Sequence, residues 1–294
     1  MIESIAHLSI PVLILSTCAY LLVQRSAVIL IGMAYAKSQR GQSQVIYKVP
    51  LVKNQFVREL KQSHWTFVFD SLVFAALIHF ALISTAAEST GKMVLTVAAH
   101  FIFFELYFYL THRALHTKAF YWIHRAHHVA HVAQPITSAS FSFLERVILF
   151  TGFMFPFVVI TAIFGSTSLI AIAICLLIND VFNIFGHLNI EFYPKILGTS
   201  FMRNILNSPT GHAMHHARFD GNYGLISSFF DVIFKTRFKD NKQVFMSTNT
   251  GTPMTSLHQN FLTKSKPKPL EAQTEPTEAQ TELKEAQTEL KEAS

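Results

Sequence analysis

The chain has 294 residues and a net charge of +6; half of its residues are hydrophobic and only 14% are charged. Soluble domains carry about a quarter charged residues, so this composition argues for a membrane protein and against a water-soluble enzyme. Its two cysteines, Cys18 and Cys175, both lie in apolar segments and no CxxC pair occurs, which excludes a disulfide framework, thiolate zinc sites and iron–sulfur clusters.

The start, Met1-Ile2-Glu3, has no basic region, which argues against a cleaved signal peptide. Residues 8–36 are apolar with Gln24 and Arg25 in their middle, and read either as one tilted span or as a shorter membrane-surface hairpin. Spans are predicted at 65–87, 93–112, 144–164 and 167–187, each near the ~20 residues that cross a bilayer core. The expected fold is all-α: a polytopic membrane protein of about four transmembrane helices, with a cytosolic helical cap holding a histidine-rich dimetal site. Three regions are expected: an apolar segment and basic loop at 1–64, a transmembrane catalytic domain at 65–245, and a linker with a low-complexity tail at 246–294.

The linker contains Lys-Ser-Lys-Pro-Lys-Pro at 264–269, and residues 271–291 form a seven-residue repeat. Ala279, Leu283, Ala286 and Leu290 keep heptad spacing, but Pro276 and the small alanines favour a charged extension over a coiled coil. From Glu271 onward the chain has seven Glu and two Lys, so the remainder holds 22 basic against 11 acidic residues, a net of +11. That excess lies in 37–64 and beyond 188, whereas the connections at 88–92 and 165–167 hold only Lys92. The positive-inside rule puts the basic loops in the cytosol. No basic stripe is interleaved with exposed aromatics, so nucleic-acid binding is not expected.

With that topology, nine of the fifteen histidines fall on the cytosolic side, at or just beyond span ends. His112 and His116 are spaced i, i+4. His124, His127 and His128 are spaced i, i+3, i+4; His212, His215 and His216 repeat the pattern; His187 closes the last apolar segment. On a helix each set shares one face, close enough to converge on an ion. Imidazole is the commonest protein ligand of iron, zinc and copper. Nine exceed what one ion needs, yet leave positions open on two, as a catalytic site requires.

Ligand histidines usually donate their second N–H to an acceptor. Glu105 and Tyr109 lie on one helical stripe with His112 and His116; Asp180 and Asn183 lie on another with His187. These four are candidates for orienting the ligands, although Glu105 and Asp180 read equally as polar glue between helices. His131 is a candidate tenth ligand or outer donor. Asn222 and Tyr223, in Asn222-Tyr223-Gly224, read first as a turn. His7, His64, His79, His100 and His258 read as isolated, satisfied or headgroup-level residues.

These motifs are ELYFYLTHRALH at 105–116, WIHRAHH at 122–128, FGHLN at 185–189, SPTGHAMHH at 208–216, NYG at 222–224 and FFDVIFKT at 229–236. In order and spacing, across about 95–238, the chain resembles the fatty acid hydroxylase/sterol desaturase superfamily of membrane di-iron oxygenases. The resemblance implies that the nine histidines bind two Fe ions and that a lipid such as a sterol or fatty acyl chain enters from the bilayer. It also gives Asn222 and Tyr223 some functional weight. Two departures stand out. Many members have a further His-Pro-Leu-acid stretch where this chain has Ser142-Phe143-Leu144-Glu145, and Trp-Asp where it has Phe230-Asp231. The first predicts a gap in the metal's surroundings.

The expected reaction is O2-dependent oxidation of an unactivated lipid C–H, either hydroxylation or desaturation, because no side-chain acid, base or nucleophile attacks such a bond. Each turnover needs two electrons. The chain has neither a GxGxxG after a strand nor a CxxCH, so a separate donor is expected, such as cytochrome b5 or a ferredoxin with its reductase. Three other readings compete. A bis-histidine haem electron-transfer protein would place paired histidines deep in facing spans. A zinc hydrolase would need a Glu base as in HExxH. A non-catalytic relative would keep the metals for structure.

Overall fold

A computed structural model describes residues 8–262; the repeat tail and the 264–269 linker lie outside the described residues. Ten helices follow in order: α1 (Ile10–Lys37), α2 (Gln39–Gln42), α3 (Gln55–His79), α4 (Thr90–Leu115), α5 (Tyr121–His128), α6 (Phe143–Phe164), α7 (Leu169–Gly186), α8 (Pro209–Arg218), α9 (Phe229–Ile233) and α10 (Asn241–Thr248). Short 3-10 turns occupy Pro135–Ala139, Lys195–Gly198 and Phe201–Asn204. Among the described residues there is no strand, only four isolated bridge pairs.

Four helices are long and apolar enough to cross a membrane: α1, α4, α6 and α7. Ile10–Lys37 is one continuous helix, which rules out the hairpin reading of the 8–36 stretch. The predicted 65–87 span is corrected. The helix runs Gln55–His79, ends at Phe80, and reverses at Ala81 with φ 54°. Residues 80–87 are apolar but turn, and the first half of α3 carries Arg58, Glu59, Lys61 and His64, so it is too polar to count among the four. It still packs in the bundle. Phe74, Ala75 and Ile78 share one apolar core with Leu13 and Leu21 of α1, Phe104 and Phe108 of α4, Phe153 and Phe157 of α6, and Ile172 and Leu176 of α7.

Local chemistry fixes the helix ends. Ser89, Ser142 and Ser168 cap α4, α6 and α7, each hydroxyl accepting the backbone N–H three residues on. Gly165, at φ 78°, closes α6 in the left-handed conformation that glycine adopts without strain. Gly152 lets α4 and α6 approach closely: a Cβ there would lie 1.9 Å from the Tyr107 ring, whose hydroxyl donates to the Ile148 carbonyl at 2.8 Å.

A second, smaller core forms the cap beyond the ends of α4 and α7. It joins Ile46, Tyr47, Val132, Ala213, Met214, Ala217, Val244 and Met254. The segment after α2 ties the cap together. Ile46 N–H donates to Asn189 O (3.0 Å), Lys48 N–H to Met254 O (2.8 Å), and Met254 N–H to Ile46 O (2.7 Å). Helices α5 and α8 and the last turns of α4 and α7 thereby meet at one end of the bundle.

Candidate metal centre

The nine clustered histidines, which come from four separate chain segments, converge in two groups. His112, His116, His124, His128 and His215 form one; His127, His187, His212 and His216 form the other; within each, the potential ligand atoms lie within 4.8 Å of one another. All are buried except the half-buried His116. The HxxHH spacing of α5 and α8 sends members of one triplet to different groups: His124 and His128 to one, His127 to the other.

Most rings have one nitrogen fixed by an acceptor. Nδ1 of His112 meets the Tyr223 carbonyl at 2.7 Å, that of His127 Ser140 O at 3.1 Å, and that of His187 Asn183 O at 2.6 Å. Nδ1 of His215 meets Gly221 O at 2.8 Å and that of His216 Ala130 O at 3.0 Å, while His124 Nδ1 meets Glu145 Oε1 at 2.6 Å. A carbonyl only accepts, so the Nδ1 atoms of His112, His127, His187, His215 and His216 carry the proton and their Nε2 atoms present lone pairs.

Those lone pairs face one another. Nε2 of His112 lies 3.0 Å from that of His124, and Nε2 of His187 lies 3.4 Å from that of His127 and 3.2 Å from that of His216. His127, His187 and His216 all present lone pairs, and two acceptors cannot share a hydrogen bond, so their contacts are repulsive unless a cation lies between them. With metal–nitrogen bonds of about 2.1 Å, ligands at right angles sit roughly 3.0 Å apart and tetrahedral ones about 3.4 Å apart. The donors fit a metal in both spacing and chemistry. Burial, reinforced by the neighbouring imidazoles, holds His124, His128, His212, His215 and His216 well below the ordinary histidine pKa; burial lowers His127 to about 4, with the Ser140 carbonyl pulling back. At neutral pH these rings are uncharged, as ligation requires.

The other candidates divide. Tyr223 orients His112 through its carbonyl, and Asn183 orients His187 through its carbonyl while its side chain donates to Ser138 O at 2.9 Å. Asn222 bridges the Gly211 carbonyl (2.9 Å) and the Phe238 N–H (3.0 Å), shaping the turn before Tyr223. Tyr109 hydrogen-bonds Thr236 Oγ1 at 2.9 Å and stacks on Phe234. Three expectations are corrected. Glu105 touches no ligand; it accepts the Ser227 N–H at 2.7 Å and so ties α4 to the loop after α8. Asp180 accepts from Arg25 at 3.0 Å and from Gln24 at 3.0 Å, away from the histidines. His131 belongs to neither group, and its ring packs on Phe219. His100 also departs from its expected role: it is fully buried among Phe104, Phe153 and Phe157, and both its nitrogens lack a partner.

Two important residues were not singled out from sequence. Glu145 holds His124, and Ser142, where a histidine was expected, caps α6 and donates to Ile123 O at 2.6 Å. Asp231 accepts the N–H groups of Tyr223 (2.9 Å) and Gly224 (2.8 Å), and so fixes the carbonyl that orients His112. Each is an acid in the first turn of a short-looped helix, the signal that sequence offered.

A cavity of about 40 Å³ adjoins the cluster. His112, His124, His127, His187 and His212 line it together with Phe104, Phe108, Leu149, Phe153 and Leu176, and Arg25, Glu145, Arg146, Asn179 and Asn183 add polar groups.

The model of the family described as fatty acid hydroxylase matches residues 97–236, a stretch that holds all nine donors. Over this stretch the chain is similar to the fatty acid hydroxylase family. It is 31% identical over 192 residues to very-long-chain aldehyde decarbonylase GL1-6 of Oryza sativa subsp. indica, covering 62% of this chain and 30% of that protein. It is 30% identical over 193 residues to very-long-chain aldehyde decarbonylase CER1 of Arabidopsis thaliana, covering 65% of this chain and 27% of that protein. The chain thus spans under a third of the length of these relatives. No solved structure gives a significant match. These relatives are named for chemistry on very-long-chain aldehydes, and among the described residues of this chain four helices are long and apolar enough to cross a membrane.

Proposed function

We propose that the chain is a membrane di-iron enzyme that uses O2 to oxidise an unactivated C–H bond of a lipid, by hydroxylation or desaturation. The carrying observation is the pair of histidine groups whose deprotonated Nε2 atoms face each other at metal-ligand spacing. Iron held there would supply the redox chemistry with O2 that side chains lack.

The chain's own residues do the rest. Tyr223, Ser140, Asn183, Gly221 and Ala130 carbonyls, with Glu145, lock the tautomers so that the lone pairs stay aimed inward. Phe104, Phe108 and Phe153 give the cavity an apolar side that suits an alkyl group. The basic loops beside the cap support a cytosolic site and docking of an acidic electron donor, cytochrome b5 or a ferredoxin. The activities for which the relatives are named favour a long-chain aldehyde or a lipid related to it as substrate.

The test is metal analysis with lipid mass spectrometry. Purified chain supplied with iron is expected to hold two irons, and cells expressing it to gain a lipid that carries one more oxygen or has lost two hydrogens, a product absent with His127→Ala. Fewer than two metals per chain, or an unchanged lipidome, would overturn the reading.

A further inference from the structure

Four charged side chains meet between the apolar helices, and two of them reach the cavity beside the histidines. Arg25 of α1 donates to Asp70 of α3 at 2.9 Å and to Asp180 of α7 at 3.0 Å. Arg146 of α6 donates through Nε to Asp70 Oδ1 at 2.8 Å and pairs through Nη2 with Oδ2. Arg25 is 7% exposed and Asp70 fully buried. Holding four helices together would explain the ion pairs. It does not explain why both arginines also line the cavity.

Each arginine has donors left over. Arg25 commits Nε and Nη2, and Arg146 does the same, so neither Nη1 has a hydrogen-bond partner. Asn179, on the same wall, has an unpartnered buried Oδ1. Spare donors inside an apolar cavity are costly unless something accepts from them. The two aspartates already neutralise the two arginines, so a carboxylate placed there would be an extra buried charge. A neutral oxygen would satisfy the donors without that cost.

We infer that Arg25 and Arg146 form a subsite for the neutral oxygen-bearing head of the lipid substrate, an aldehyde or alcohol. This deepens the proposed function and rests on it for the identity of the reaction. The cavity is small, so a head held at the arginines places carbons only a few bonds away against the histidine wall. Oxidation therefore falls near the polar end of the chain. Arg25 and Asp70 lie outside the stretch shared with the family, so this subsite is a feature of the whole bundle.

The test uses the full chain, iron-loaded, in lipid nanodiscs. Equimolar isotope-labelled hexadecanal, hexadecanoate and hexadecane compete, and retained lipid is counted by mass spectrometry. Hexadecanal should be retained about tenfold over both others, the scale of one charge-assisted hydrogen bond. Arg146→Lys and Arg25→Lys keep the cation beside its aspartate but lose the spare donor; the preference should fall roughly tenfold with iron content unchanged. Equal retention of hexadecane, stronger retention of hexadecanoate, or an unchanged preference in the folded variants overturns the inference. If neither variant folds, the wild-type ranking alone decides. Failure of the proposed function shows separately, as missing iron or absent oxidation product while the head preference persists.

Discussion

Glu145→Ala removes the acceptor that holds His124. The carboxylate sits 2.6 Å from His124 Nδ1 and is fully buried. A hydrogen bond to a charged group contributes about 1.5–3 kcal/mol, which is roughly 10- to 150-fold in an equilibrium constant. That range overlaps the ~10–100-fold loss typical when the partner of a metal-ligating histidine is removed. The loss should be local. His124 belongs to the five-histidine group, so iron affinity there should fall by one to two decades while the four-histidine group holds. Titration of the apo-protein with ferrous iron against a chelator resolves the two sites. Glu145→Gln retains a carbonyl oxygen at the same place and should lose less. An alanine variant within a factor of two of wild type at both sites, or one that weakens both equally, would refute this account of how the ring is held.

Removing the metals should lower the thermal unfolding midpoint markedly, because the facing Nε2 lone pairs lose their common partner; re-adding iron should restore it, and an unchanged midpoint would count against a metal-bridged core. Asp231→Asn replaces an acceptor with a donor facing the Tyr223 or Gly224 N–H, at about 1–3 kcal/mol for the unsatisfied group. The midpoint should drop, and iron affinity at the His112 group should weaken with it, as read by the same titration. Burial pushes Glu191 up to about 7, against the Thr210 and Tyr193 hydrogen bonds that pull it down. Its proton is held more tightly folded than unfolded, so its stabilisation is full below about 4.5 and is lost as pH rises through about 7. From pH 5 to pH 8 the wild-type midpoint should fall relative to that of Glu191→Gln, a difference that isolates this carboxyl from the buried histidines, whose lowered pKa values act in the opposite sense.

Much of the site was legible because imidazole spacing on a helix is a geometric statement. An HxxHH triplet must present its rings on one face, and span ends must sit at the same bilayer level, so convergence followed from the sequence. The orienting groups were harder to read, and the error has one cause. Glu105 and Asp180 were placed on stripes seven residues from His112 and His187, which on a helix is about 10 Å along the axis. A carboxylate cannot reach a ring over that distance. The acceptors found instead are Asn183 O, one turn from His187, and groups from other segments, such as Glu145, Ser140 and Tyr223. Pairings between segments leave no period in the sequence. The misplaced 65–87 span has a different origin: the apolar residues 80–87 extended a hydropathy window past Phe80, where the helix ends.

The bundle divides its work between shared and unshared parts. Residues 97–236 supply every imidazole donor and the acceptors that fix their tautomers. Helices α1 and α3 lie before that stretch and contribute no donor, yet α1 puts Arg25 into the wall of the cavity and α3 holds both arginines through Asp70. A buried ion-pair cluster is a poor source of net stability, because desolvation offsets most of the attraction, and apolar residues would pack these helices as well. What the charged cluster adds is direction: guanidinium donors held at fixed angles beside the place where a C–H bond must be presented. In this arrangement the donor set determines what chemistry is available, and the N-terminal helices help determine which lipid group is brought to it.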